Sequence, residues 1–279
     1  MSKGFIVAAQ NTDTVDYIKQ AYVLALSIKN SQKDVSCISI MTNDSIPDTY
    51  RHAFDQIIPI PWVDDSKDKS WKVENRWKLY HVTPYDETIV LDTDMLLLED
   101  ISLWWRHCSN YELLFCNRVK NYKNELVLED TFYRNAFIKN NLSNPYFALH
   151  YFKKSDFAHE FYKVLEFVVF NWEWCWTKFA PDHYQNWLSM DLASAIAIEI
   201  SGCHGQVLDS AGPLEFVHMK PALQNWIEKT TPWSEIVPFY VNSDGELIIG
   251  NMKQTKLVHY VEKSFLSESL VKTYEGLLV

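Results

Sequence analysis

Asp92 and Asp94, two acids one residue apart, are the residues whose type and spacing most directly suggest chemistry. Ile89-Val90-Leu91 precedes them and Met95-Leu96-Leu97-Leu98 follows, so two negative charges lie next to buried structure. That is costly without a cation. Carboxylates are hard oxygen ligands, and a pair of them around Thr93 at the end of a strand suits Mn2+ or Mg2+, an ion able to neutralise a diphosphate and its leaving group. Solvated or helix-capping acids at a turn would give the same string. The apolar strand that runs into the pair favours the metal reading.

The elements around this motif have the periodicity of an α/β fold. Phe5 to Ala9 is a short apolar run, and Asp16 to Lys29 places Ile18, Ala21, Tyr22, Ala25 and Ile28 at helical spacing. Val35 to Met41 alternates as a strand, Ile46 to Phe54 suits a short helix opened near Pro47, and Ile57 to Ile60 is a third apolar segment. The order βαβαβ implies a parallel sheet. Asn75 to His81 is expected to be helical, and Glu87 to Leu91 is a strand that delivers the two acids at its carboxyl end, where open parallel sheets collect ligands. Further on, Glu112 to Cys116 and Phe147 to Phe152 read as strands, and Asp156 to Phe170 and Met190 to Ile200 as helices. Val241 to Ile249 reads as a hairpin with an Asp244-Gly245 turn, and Lys256 to Val261 as a strand.

Bulk properties narrow the function. A chain of 279 residues, 47% hydrophobic and with no linker-like or repetitive tract, is expected to form a single domain over 1–279. The net charge of −10 repels polyanions on average. The apolar run at Phe5 is too short for a signal peptide, and Lys163, Glu166 and Glu173 break the apolar stretch Phe161 to Trp176 well short of a membrane span. Five scattered cysteines without a C-x-x-C pair suggest neither a disulfide framework nor a zinc knuckle, and a reducing cytoplasm is the expected setting.

With those elements in place, Lys78-Leu79-Tyr80 followed by Thr88 to Ile101 resembles the donor-site region of family 8-type GT-A glycosyltransferases, the glycogenin and lipopolysaccharide galactosyltransferase group. The resemblance covers residues 5 to about 105. It implies a Rossmann-like mixed central sheet flanked by helices, with a nucleotide-sugar-binding half over 1–106 and an acceptor-binding half over 107–279. It also implies a nucleotide-sugar donor, a UDP-sugar first among them, and transfer to an acceptor hydroxyl with retained anomeric configuration. By the same resemblance the nucleotide lies over Ala8, Ala9, Asn11 and Tyr17, and Lys78 is the basic residue ahead of the D-x-D strand. A late His on a strand end completes the metal shell, with a Lys nearby on the phosphates. Phe216-Val217-His218-Met219-Lys220 is similar to that landmark and is preferred. Leu257-Val258-His259, followed by Lys263, is the rival, so the expected ligands are Asp92, Asp94 and His218, with His259 as runner-up.

Other residues fit less closely. Where the family carries Asn-Ser-Gly, this chain has Tyr146-Phe147-Ala148, and no role is carried over. Asp191 resembles the family's acid near the reacting sugar, although a first-turn acid favoured by the helix dipole would look the same. Arg76 is in reach of the donor phosphates if its segment is helical. Trp172, Trp174, Trp176, Trp187 and Trp226 offer flat surfaces for sugar rings, a role less common for such stripes than core packing. The acceptor is open between a glycan, a protein and hydroxylated bases of DNA. The last enters because Glu74 to Asp94 and Trp104-Trp105 resemble glycosyltransferases of tailed phages, some of which decorate genomic DNA, and because basic residues cluster from Arg118 to Lys123. Two other classes share parts of the pattern: haloacid-dehalogenase-type phosphohydrolases, which need their D-x-D near the N-terminus, and a binding module without turnover.

Overall fold

The computed structural model describes residues 1–127, 134–181, 187–227 and 230–278. In chain order its strands are β1 (Lys3–Ala8), β2 (Ile38–Met41), β3 (Gln56–Ile58), β4 (Glu87–Leu91), β5 (Met95–Leu97), β6 (Leu113–Cys116) and β7 (Val119–Lys120). Then follow β8 (Tyr146–Lys153), β9 (Phe216–His218), β10 (Phe239–Val241), β11 (Leu247–Ile249), β12 (Met252–Lys253) and β13 (Leu257–His259). The central sheet has the order β3-β2-β1-β4-β8-β6. Its first four strands are parallel, as the alternation of strand and helix requires, and β8 and β6 are added antiparallel, making the sheet mixed.

Both faces of this sheet are covered, and the strand sequence shows why. Phe5, Val7, Ile89 and Leu91 alternate with Ile6 and Val90, and the two sets belong to separate apolar clusters on opposite faces. One face takes the helix Tyr17–Ser31, which begins at Asp16, whose carboxylate accepts from the Lys19 N–H (2.9 Å). The five apolar residues read at helical spacing there are all buried. The other face takes the helices Asp156–Phe170 and Met190–Ser201, which pack on one another.

A second sheet, β5-β13-β9-β7, ties the chain's end to the metal-motif region. β5 was not foreseen as a strand. It pairs antiparallel with β13, which pairs in parallel with β9, setting His259 directly beside His218. The expected hairpin forms from β10 and β11, with Gly245 at φ 78° in the turn, and β12 extends it. The segment expected as one helix from Asn75 is a 3-10 turn, Arg76–Lys78, that passes into the α-turn Leu79–Val82. Among the described residues, no helix is long and apolar enough to cross a membrane.

His150, in the middle of β8, is fully buried. Its Nδ1 donates to the Phe147 carbonyl (2.8 Å) and its Nε2 accepts from the Tyr162 hydroxyl (2.7 Å), a pattern that needs the neutral ring. Burial pushes its pKa down to about 3. The folded value lies below the unfolded one near 6.5, so the unfolded chain takes up the proton first as pH falls. The contribution to stability is complete above about pH 6.5 and is lost toward pH 3, at about 1.4 kcal/mol per pH unit. His150→Gln should cost about 1–3 kcal/mol at neutral pH. Its urea midpoint should then fall less than the wild type's between about pH 7 and pH 5, and equal falls would contradict this role.

Candidate active site

The sheet order creates a crevice before any side chain is considered. The chain leaves β1 toward β2 on one side and β4 joins on the other, so the carboxyl ends of β1 and β4 flank a topological switch point. The Asp92 N–H donates to the Ala148 carbonyl (3.1 Å), fixing the end of β4 against β8. The chain turns through Thr93 and Asp94 into β5, where the Asp94 carbonyl accepts from the Tyr260 N–H (3.1 Å). Asp94 is thereby locked to the residue after β13.

The side chains converge at the same point. Asp92 Oδ1 accepts from Arg76 Nη1 at 2.6 Å. Asp94 Oδ2 lies 3.0 Å from His259 Nε2 and 2.5 Å from Lys263 Nζ. Burial alone would raise the Asp94 pKa, but the charges of His259 and Lys263 outweigh it and hold the carboxyl well below the usual carboxylate range. One ligand atom each from Asp92, Asp94 and His259 lies within 4.8 Å of the others. Two carboxylates and an imidazole are a donor set that suits Mn2+ or Mg2+. Arg76 is held against Asp92 and Lys263 against Asp94, so each acid of the pair has one basic partner. The residues present fit a divalent cation.

A cleft of about 510 Å3, within the range of ligand sites, opens over this group. Its lining includes Tyr17, Trp71 and Arg76, Tyr146, Phe147 and Ala148, Trp187 and Asp191, and His218, Lys220, His259 and Lys263. Asp191 sits in the first turn of its helix, as expected. One of its oxygens accepts from the Phe147 N–H (2.8 Å) and the other pairs with Arg134 at 3.0 Å. Arg134 is itself sandwiched between the rings of Phe137 and Tyr146. Burial, with the nearby Arg134 charge, pushes the Lys220 pKa down to about 8 against the opposing pull of Asp191.

Several expected residues stand elsewhere. His218 lines the cleft, but it is His259 that completes the group with the two acids. His218 stacks against His259, ring centroids 4.7 Å apart, and burial together with neighbouring positive charge pushes its pKa well below 6.5. Lys78 is not in the cleft. It is 1% exposed, and its ammonium donates to the Val63 carbonyl, to Asp65 (2.7 Å) and to Asn75 (2.8 Å), pinning the loop from Val63 to Asn75. A 3-10 turn advances about 120° per residue, so Arg76 and Lys78 leave it in different directions. Ala8, Ala9 and Thr93 are not among the lining residues. The Asn11 carboxamide accepts from the Ile18 N–H (3.1 Å), so its role is to seat the helix Tyr17–Ser31. Of the tryptophans, Trp187 lines the cleft and Trp172, Trp174, Trp176 and Trp226 do not.

Two contributors were missed. Lys263 was visible only as the end of the rival His259 segment, and the Tyr146-Phe147-Ala148 strand start carried no signal because it departs from the resembled pattern. The basic run Arg118 to Lys123 offers little to a polyanion, since Lys120 and Lys256 converge on Glu215 at 2.8 and 3.2 Å, and Arg118 lies 3.9 Å from it. An acceptor in DNA is not supported.

The different surroundings of the two basic residues give a test. Lys78→Met should lower the free energy of unfolding by about 2–3 kcal/mol, because Asp65 and the loop carbonyl lose their partner. Arg76→Met, at a partly open pair, should cost about 1 kcal/mol or less. Urea unfolding of both variants measures this, and the reverse ranking would contradict the assignment of Lys78 to the loop.

No protein-family model and no curated protein sequence matches the chain. Solved structures do. The galactosyltransferase LgtC, in complex with donor and acceptor sugar analogs, is similar at a TM-score of 0.53 and 13% identity, over 98% of this chain and 94% of LgtC. The bifunctional glycosyltransferase WbbM, in its apo form, is similar at 0.54 and 10% identity, over 99% of this chain and 49% of WbbM. Mouse xyloside xylosyltransferase 1, also apo, is similar at 0.50 and 10% identity, over 93% of this chain and 97% of that one. The chain spans about half the length of WbbM and of the glycosyltransferase GlyE of Streptococcus pneumoniae (49% and 46%). At such identities the likeness is one of fold, and it agrees with the mixed central sheet flanked by helices: the chain has the GT-A-type fold of these glycosyltransferase structures.

Proposed function

We propose that this protein is a divalent-cation-dependent glycosyltransferase that moves a sugar from a nucleotide-sugar donor, with UDP-sugars the first to test, to a hydroxyl of a glycan or protein acceptor. The observation that carries this reading is the convergence of Asp92, Asp94 and His259 with Arg76 and Lys263 in one cleft at the sheet's switch point. Asp92, Asp94 and His259 would hold Mn2+ or Mg2+, which when bound supplies electrostatic stabilisation to a departing diphosphate. His218 supports His259 from the adjacent strand.

The chain's own groups have separable tasks. Lys263, paired with Asp94, and Arg76, paired with Asp92, would carry positive charge to the phosphates. Asp191, oriented by the Phe147 N–H and by Arg134, faces the cleft at the sugar end together with Lys220. The acceptor oxygen attacks the anomeric carbon, the bond from that carbon to the diphosphate oxygen breaks, and the hydroxyl proton leaves to the departing phosphate or to water. Family resemblance implies retention of configuration. In this reading residues 1–106 form most of the donor end and residues 107–279 the acceptor end, with His259 and Lys263 joining the donor end from late in the chain. A reducing cytoplasm is part of the proposal, one in which five free thiols persist.

The test is a thermal-shift screen against UDP-, GDP-, CDP- and ADP-sugars with and without Mn2+. One nucleotide class should raise Tm only when the metal is present. The shift should vanish in Asp92→Asn, Asp94→Ala and His259→Ala and survive in His218→Ala. Release of nucleoside diphosphate should fall by about 100-fold or more in Asp94→Ala. No metal-dependent shift with any donor would overturn the reading.

A further inference from the structure

Val261 takes φ 65°, and among the described residues it is the one β-branched side chain at positive φ. The left-handed region is costly for any residue with a Cβ, and most so for a branched one. The Glu262 N–H donates to the Tyr260 carbonyl at 2.6 Å, which closes a three-residue turn around Val261. With a positive φ at its centre this is the strained form of the γ-turn. Such a conformation persists only where its surroundings over-determine it. On one side of the turn the Tyr260 N–H is fixed to the Asp94 carbonyl (3.1 Å), and the Tyr260 carbonyl also accepts from Trp233 Nε1 (2.7 Å). On the other side the Glu262 carboxylate spans the start of the short helix Trp233–Ile236. One of its oxygens accepts from the Trp233 N–H, and the other from the Ser234 N–H (3.2 Å) and hydroxyl (2.9 Å). Trp233 is fully buried, so this anchor belongs to the core. Bonds to a charged acceptor are about twice as strong as neutral ones, and together they outweigh a strain that alone would cut the population of the turn about tenfold.

We propose that Glu262 is a positioning residue: clamped on Trp233 and Ser234, its carboxylate holds the strained turn at Val261 shut and so fixes Lys263, the next residue, against Asp94. Val261 and Lys263 line the cleft and Glu262 does not, so Glu262 acts through its neighbours. The ammonium of Lys263 lies 2.5 Å from Asp94 and 5.2 Å from the centre of the Tyr17 ring, a placement that a turn free to open would lose. What Lys263 does for a diphosphate rests on the transferase reading above; how Lys263 is held does not.

Hydrogen exchange of the Tyr260 and Glu262 amides in the metal-free protein tests the clamp, and titration with UDP in the presence of Mn2+ tests its consequence. Glu262→Ala should cut the protection of both amides by about tenfold or more and weaken UDP binding by a similar factor. Ser234→Ala should move both in the same direction by less. Glycine takes positive φ freely, so Val261→Gly removes the strain. Val261→Gly combined with Glu262→Ala should therefore recover most of the protection and binding that Glu262→Ala alone loses, whereas a side chain that merely stabilised the fold would give losses that add. Undiminished protection in Glu262→Ala, or a double variant no better than Glu262→Ala, would overturn the proposal. The expected exchange pattern in a protein whose wild type binds no UDP with Mn2+ would instead count against the transferase reading, so the two failures are distinguishable.

Discussion

The charge on Asp94 organises this molecule. A carboxylate that is 5% exposed at the end of an apolar strand would cost several kcal/mol if left unpaired. The fold answers that cost from the far end of the chain. β13 pairs with β5, the Tyr260 N–H reaches the Asp94 carbonyl, and His259 and Lys263 close on its side chain. The second sheet is thus the means by which residues more than 160 positions away in sequence are brought to the acid pair.

The loop beside Arg76 is braced in a similar way. Asp64 accepts from Gln10, Asn43, Asn75 and the Ser66 N–H, and although burial acts to raise its pKa, these bonds together lower it. Lys78 pins the same loop from inside, and Trp62 stacks on Trp77 over it. A loop so anchored can present Trp71 and Val73 to the cleft beside Arg76. Asp191, which also lines the cleft, has a comparable anchor in Arg134 and the Phe147 N–H. Asp92, Asp94 and Asp191 are therefore each held by a basic side chain, a state that favours electrostatic preorganisation over movement of the acids themselves.

Much of this was legible in the sequence because it is local. The helix Asp156–Phe170 was read to the residue, and β4 and the acids at its end follow from β-branched periodicity and the break at Pro84. The choice between His218 and His259 was not legible, for a definite reason. The two residues occupy paired positions on neighbouring parallel strands, each the last residue of an apolar triplet. Which one meets the acids depends on which strand pairs with β5, and β5 is a three-residue strand with no alternation to reveal it. The direction of Lys78 was hidden similarly, since a short 3-10 turn and an α-turn share a composition and differ in where they aim their side chains.

The central claim is that Asp92, Asp94 and His259 form a divalent-cation site within a nucleotide-binding cleft. The most direct measurement is an anomalous difference map from crystals soaked with Mn2+ and UDP. The account predicts a peak in contact with all three side chains, with the diphosphate beside Lys263 and Arg76. A peak shared by His218 and not His259, or nucleotide bound in the cleft with no metal at the acids, would contradict it.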